Sequence, residues 1–516
     1  MLFQNSKPGT SYDKPINETG DIEKFTYSYN EQSDLNQTNT ISELTTEHLE
    51  FLLNRHGSVQ LDPTPSNNPL DPLNWSLFKK NYEIFLISFH SFMVTFMAAG
   101  IAPAYEAMSE EYGKTMTEIS FLTSVQILVV GIFPLVFVPL MNIYGRRPFL
   151  ALSTLVCCAL NIGGGFCKTY SLQMATRVLV AVMISTGAAT GSSIVADVSF
   201  SHERGKKNGW WSVGYVLGTP GGPFFMGFVQ KHASTKWIYF TFAIVNFLQF
   251  ICYLFSNETV FDRENLSTDP KSSKSIKWLG FIKATSKEFE LCLFWRPLKQ
   301  ALDYRITLVT IAATVTFSYA NIVLIVETPQ IFGSLFFLDA QQLSLQYIAL
   351  IVGSIFGELL SGPLSDYWMR FCVRKRGGQR VIVDRLWISY YGYMCIIVGL
   401  IVWGVNLFNA EQGHWIISPL IGAAIAAAGM NIVTTILIVY AIDTNPLKAA
   451  DTGLYLNLVR MSFGFIGPFY FSEMFTKLNL AGASGLMAGL VLVLGGFVTV
   501  IVHVIGLKSL NKDQNL

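Results

Sequence analysis

Four ionisable side chains stand inside long apolar runs: Arg177, Glu327, Glu358 and Arg460. A charge in hydrocarbon costs about 2.5 kcal/mol or more, so each must face a partner or a water-filled cavity. Removal from water favours the neutral form of a carboxyl. Glu327 or Glu358 can therefore be neutral while shielded and ionised while wet, which is what carrying a proton through a membrane requires. A carboxylate also attracts an organic cation, and Glu327, nearer the outer end of its run, is the better placed of the two to do so. The competing reading is structural, with Glu358 paired to a basic residue at the rim of the membrane. Asp451 and Asp443 lie close to run ends, where solvation is easy. The chain has no Gly-x-x-x-x-Gly-Lys-(Ser/Thr) loop to cradle ATP. It also lacks a paired His–carboxylate constellation or a nucleophile motif in its polar loops. No enzymatic activity, cofactor or metal is expected.

The elements that must position these residues follow from composition. The 516 residues are 51% hydrophobic and only 14% charged, with mean hydropathy +0.40, more apolar surface than one soluble core can hide. Crossing roughly 30 Å of hydrocarbon takes about 20 apolar residues in a helix, because unpaired backbone groups are too costly in lipid. Runs of that length lie near 84–105, 119–141, 149–167, 172–197, 208–229 and 237–255, and again near 305–327, 344–365, 386–408, 415–442, 452–472 and 481–506. The expected fold is all-α, twelve transmembrane helices in two six-helix bundles, residues 76–255 and 305–506. A polar, disordered tail (1–75), a central loop (256–304) and a short tail (507–516) flank them. The later part of the central loop is basic enough to lie on anionic lipid as an amphipathic helix, or to be a solvated tether.

The net charge of +1 points to neither nucleic acid nor an acidic partner, but the distribution of charge is informative. One set of loops holds Lys79, Lys80, Arg146, Arg147, Arg204, Lys206, Lys207, Arg370, Arg374, Lys375, Arg376, Arg380, Arg385 and Lys448. The other set holds only Lys114, Lys168, Lys231, Lys236 and Lys477. By the positive-inside rule the first set, the central loop and both termini are cytosolic. The seven cysteines have no spacing of a metal site or disulfide framework.

The two halves repeat each other. Pro-Leu-x-(Asn/Asp)-x-aromatic occurs after span 2, with Asn142 and Tyr144, and after span 8, with Asp366 and Trp368. Asp197 closes span 4 ahead of Gly222-Pro223, and Asp443 closes span 10 ahead of Gly467-Pro468 at a similar offset. Repeats in the same order and orientation imply bundles related by an axis along the membrane normal, with a site between them near the midplane.

From about residue 70 onward these features resemble the major facilitator superfamily, and within it the fungal twelve-span drug:proton antiporters. The resemblance rests on Asp71-Pro-Leu-Asn-Trp75 before span 1 and on Asn142-Ile-Tyr-Gly145-Arg146-Arg147 in the loop after span 2. It rests also on Arg177 in span 4, on Asp197 with Glu203-Arg204-Gly205-Lys206 at the exit from that span, and on Gly218, Gly222, Pro223 and Gly227 in span 5. Asn142 and Val138 depart from the family's usual Asp and Gly; Gly362 and Asp366 keep that pattern in the second half. Within the family the chain is similar both to histidinol and polyamine permeases and to quinidine-resistance-type exporters.

The resemblance implies a solute cavity lined by His90, Gln126, Tyr215, Tyr319, Asn321, Asn431 and Asn457, with aromatic faces for a cation and amides for orientation. Most such residues in membrane bundles are helix–helix hydrogen bonds instead. His90 is the sole histidine of its span and titrates near neutral pH unless buried and satisfied. The span 5 glycines permit close helix approach or a hinge; the two readings predict the same residues. Arg146 suits a bidentate clasp to Asp197 or Glu203 that would hold an inner gate, although loop arginines are also expected for topology alone.

The expected function is proton-driven alternating-access transport of a small organic cation, polyamine-like, or of an amphiphilic drug. A monomer in the plasma membrane is expected, the vacuolar membrane being the alternative. Partners are lipid, solute and protons, with no nucleic acid. A sensor of the same fold that binds without transporting is the rival class. Accessibility labelling of intact vesicles should find Lys114 and Arg374 on opposite faces; labelling from one face would sink the topology.

Overall fold

Helix length and hydropathy separate cleanly once the chain is folded, because a helix can continue past the hydrocarbon into water. The computed structural model describes residues 45–261, 263, 290, 292–379 and 381–513, and the regular secondary structure among them is helical. Nine helices among the described residues are long and apolar enough to cross a membrane. A tenth span is a bent pair, Met116–Ile132 with Pro134–Tyr144, angled by 44°.

Two further spans carry too many polar residues to pass on composition. Ser201–His232 bears Glu203, Arg204, Lys206 and Lys207 in its first two turns, and Ala449–Ile466 carries Asp451 and Arg460. A turn at Asn479 (φ 55°, ψ 173°) divides the end of span 11 from span 12. The order is therefore span 1 (Leu77–Ala99, extended by Tyr105–Tyr112), span 2 (116–144), span 3 (Arg147–Gly165), span 4 (Tyr170–Val198), span 5 (Ser201–His232) and span 6 (Thr235–Phe255). Span 7 (304–336), span 8 (Ala340–Lys375), span 9 (Trp387–Phe408), span 10 (Ser418–Thr444), span 11 (449–478) and span 12 (480–513) complete the fold. Spans 5 and 8 run beyond the expected 208–229 and 344–365, since polar turns outside hydrocarbon keep their internal hydrogen bonds.

Residues Leu61–Trp368 with Ile382–Leu516 form one compact unit. The other comprises Met369–Val381 with the described residues before Leu61, among them Thr46–His56, a helix capped by the Thr45 hydroxyl and ended by Gly57 at φ 72°. Of the tail expected to be disordered, residues 1–44 lie outside the described residues. From Leu61 to Trp75 the chain is an ordered strap. Asp71, buried, accepts from Ser66 N at 2.9 Å, Leu73 N at 3.0 Å and both Nε and Nη2 of Arg263 at 3.2 and 2.9 Å. Burial alone would raise the Asp71 carboxyl, but the Arg263 guanidinium and these N–H groups outweigh it and hold it below the usual carboxylate range. Asn74 donates to the Ser66 and Asn68 carbonyls. The motif before span 1 thus grips the chain just after span 6. Most of the central loop expected to lie on lipid, 264–289, lies outside the described residues.

Either Asp71→Asn or Arg263→Gln should destabilise the purified protein by about 2 kcal/mol, the scale of a charge-assisted hydrogen bond. In thermal melts of the detergent-solubilised protein the double variant should be no worse than the worse single one; additive losses would mean the two residues act separately.

Candidate substrate site

At the basic rim, the end of the spans that carries Arg146 and Arg147, polar contacts organise each half separately. Arg146 Nη1 clasps Asp197 and its Nη2 donates to Asn142 Oδ1 at 3.3 Å, which joins the ends of spans 2, 3 and 4. Glu203 is not a partner: Lys207 takes it at 2.9 Å, one helical turn on. Since Arg146 and Asp197 both belong to the first half, their clasp cannot by itself hold the two halves together. Arg204 is half-buried and makes no ion pair among the described residues.

Glu258 had no sequence signal, yet its carboxylate accepts the N–H groups of Arg146 and Arg147, both at 3.0 Å, at the start of span 3. Gly145 (φ 87°) makes room for it, because a Cβ there would stand 2.6 Å from Glu258 Oε2. Arg147 reaches the Tyr253 and Leu254 carbonyls at the end of span 6. In the second half Arg385 stands where Arg146 does in the first. It lies 3.9 Å from Asp366, the counterpart of Asn142, and 3.7 Å from Asp443, the counterpart of Asp197. The repeat Asn142/Asp366 and Asp197/Asp443 held the clue to Arg385. Gly362 has open space around it.

Spans 5 and 8 bring the halves together at three levels. Lys231 Nζ meets Asp339 at 3.0 Å, at the ends remote from the basic rim. Asp339 caps span 8 through Gln342 N at 2.9 Å, and that N–H and then Lys231 hold its carboxyl below the usual range. One turn deeper, Ser344 Oγ donates to the Pro223 carbonyl at 2.8 Å. A Cβ on Gly227 would lie 1.4 Å from that oxygen. Deeper still, Ser212 Oγ donates to Glu358 at 2.6 Å, and Thr435 of span 10 reaches its other oxygen at 3.3 Å. Glu358 therefore takes hydroxyl partners, not the basic residue expected of a structural pair. Gly218 and Gly222 face span 1, where a Cβ would come within 2.3 Å of the Phe92 and Phe96 carbonyls respectively. The glycines of span 5 thus serve two different neighbours.

Spans 2 and 11 form the second seam. Phe121 stacks on Phe469 with ring centres 4.2 Å apart, Gly131 packs on Met461, and Asn457 Nδ2 reaches the Val130 carbonyl at 3.5 Å. Between the seams lies a partly open cavity, with about 450 Å³ of space not filled by atoms when the solvent at its mouth is included. Its wall is mostly aliphatic, with Phe317 from span 7 and hydroxyls from Thr95, Thr123, Tyr215 and Thr219. Both halves contribute to it.

The candidate residues distribute unevenly about this cavity. Tyr215 lines it. Gln126 shares a helix face with the lining residues Thr123, Ile127 and Val130; it is fully buried, with neither amide atom hydrogen-bonded among the described residues. Span 7 loosens into a π turn, Ser318–Ile322, that carries Tyr319 and Asn321; Tyr470 donates to the Tyr319 hydroxyl at 3.0 Å. Glu327 follows Val326 of the cavity wall at the break before Thr328–Phe336; it is buried and its Oε1 has no hydrogen-bond partner. Arg177 is buried, with Nη2 on the Met97 and Ala98 carbonyls at 2.8 and 2.9 Å and with Nε and Nη1 unpartnered. Tyr105, which sequence reasoning passed over, donates to Thr123 at 2.7 Å and lies within electrostatic range of both Arg177 and Glu327. Two candidates stand apart. His90 bonds Tyr253 at 2.9 Å and packs against Gly187 inside the first half, and Asn431 bonds its own helix at the Ala427 carbonyl.

The sequence profile of the Major Facilitator Superfamily matches residues 84–468. The chain belongs to that superfamily. This facilitator is 27% identical over 434 residues to the MFS transporter fsa7 of Fusarium, covering 82% of this chain and 83% of that one. It is 23% identical over 412 residues to a probable efflux pump, mfs2, of Aspergillus flavus, covering 75% and 93%. Among solved structures the xylose transporter XylE of E. coli, in a partially occluded inward-open conformation, superposes with a TM-score of 0.60 at 12% identity over 82% of this chain and 97% of that one. The protein is thus a multi-pass secondary transporter and not an enzyme.

Thr219→Trp should fill the cavity and abolish solute flux in reconstituted vesicles while the yield of folded protein is unchanged; undiminished flux would show that solute passes elsewhere.

Proposed function

We propose that this transporter exports amphiphilic organic molecules in exchange for protons. The observation that carries this reading is the cavity itself, shared by both halves, with a lining surface that is almost wholly apolar and no carboxylate among its lining residues. Such a wall suits a solute with an apolar body and few polar groups. A polyamine would have to leave water with its charges unmatched there, so of the expected cargo classes the amphiphile is favoured over the polyamine. Similarity to a probable efflux pump favours outward transport.

Proton coupling is assigned to Glu327, buried beside the cavity wall with an unpartnered oxygen, and Glu358 is the second carboxyl of the interface. Alternating access then consists of separating the span 5–span 8 and span 2–span 11 seams at the end remote from the basic rim while the rim closes. The basic rim is read as cytosolic, with both termini on that side, and the plasma membrane as the site of a monomeric carrier.

Cells that overproduce the protein should survive amphiphilic toxicants better than deletion cells; a growth advantage confined to scarce polyamine or histidinol would mean import and overturn the reading. In proteoliposomes, flux should follow an imposed pH gradient, and Glu327→Gln should remove that dependence. Asp451→Asn should leave it intact, since Asp451 is held in an ion pair with Arg296 at 2.8 Å. Equal effects of the two substitutions would count against Glu327.

A further inference from the structure

Arg460 is a half-buried cation with no carboxylate in ion-pair distance among the described residues. It precedes Met461 of the cavity wall, and its guanidinium carbon stands 4.8 Å over the ring of Phe317, also on that wall. Its Nη2 reaches Asn457 Oδ1 at 3.5 Å, the outer limit of a hydrogen bond. Its Nε is buried with no partner among the described residues. The buried Tyr215 hydroxyl, from the other half, stands beside the guanidinium within reach of a hydrogen bond to it.

A guanidinium stays charged at any physiological pH and offers five donors in a planar fork. Here one face is covered by Phe317, and the edge meets only neutral groups, Asn457 and Tyr215. Neither a ring face nor one long amide contact replaces the water such a group gives up. These neighbours are neutral, so an anion entering the adjacent cavity would supply the missing counter-charge. A cationic solute would set two like charges side by side in low dielectric, and an anion would remove the imbalance.

We propose that Arg460 anchors an acidic group of the transported solute, so that the cargo is a carboxylate-bearing amphiphile. Its apolar body occupies the aliphatic cavity, its carboxylate takes the edge of the Arg460 fork, and the Tyr215 hydroxyl donates to the same oxygen pair from the other half. Substrate thereby bridges span 11 and span 5, which gives a bound anion contact with both halves at once. The assignment rests on reading the cavity as the solute site.

The test uses three probes with one apolar body, 6-phenylhexanoate, 6-phenylhexanamide and 6-phenylhexylamine, titrated calorimetrically into the purified full-length protein. The acid should bind about tenfold or more tighter than the amide, the scale of hydrogen bonds to a charged group, and the amine weakest. Amine binding equal to or tighter than the acid overturns the proposal on the wild-type protein alone, whatever any variant does. Arg460→Gln should erase the preference for the acid while amide binding persists, and Arg460→Lys should restore part of it. An acid preference that survives Arg460→Gln also overturns the proposal. Thr219→Trp should weaken all three probes; if none binds the wild type, or if all three bind that variant undiminished, the cavity reading fails and the anion assignment falls with it.

Discussion

Charges and polar backbone groups inside a membrane have to be matched by the protein, and the folded chain is arranged around that requirement. Where matching is complete, the result is architecture. Asp71 is saturated by Ser66, Leu73 and Arg263, and Glu258 fills the open end of span 3. Arg146 and Arg385 each draw the ends of two other spans together. Among the groups with unpartnered buried atoms, Glu327, Gln126 and Arg460 lie beside or near the cavity between the halves. Uncompensated polarity in a buried place is costly, so groups of this kind beside a cavity are candidates to meet solute.

The same logic separates gate from frame. Contacts within a half are ionic and multiple, whereas contacts between halves at spans 5 and 8 are a single exposed ion pair, one hydroxyl on a carbonyl and one hydroxyl on a carboxylate. Exposed pairs contribute little and single hydrogen bonds about 1 kcal/mol. A seam held this weakly can part without disturbing the bundles it joins. The missing side chain at Gly227 lets Ser344 approach the Pro223 carbonyl.

The structure also revises what several conspicuous residues do. The Arg146 clasp and the Asn142 beside it lie inside the first half, away from the seams between the halves. His90, the span 1 histidine that could titrate near neutral pH, is occupied by Tyr253. Glu358, half-buried, is held by two hydroxyls from different spans, one of them across the seam.

The sequence by itself determined the twelve spans, their order, the duplication and the class of protein, because the price of unpaired backbone in lipid forces long apolar helices that hydropathy reads directly. It also flagged the charges that have no business in hydrocarbon, Arg177, Glu327, Glu358 and Arg460. The tertiary structure alone decided which of these are satisfied, since partners such as Tyr105, Glu258 and Arg263 come from segments far along the chain and leave no local pattern. It decided too that Tyr215 and Arg460, distant in sequence and on opposite halves, meet at one cavity. Residues that share a helix face can be read from spacing, but residues that meet across a seam depend on how two independently folded bundles are docked.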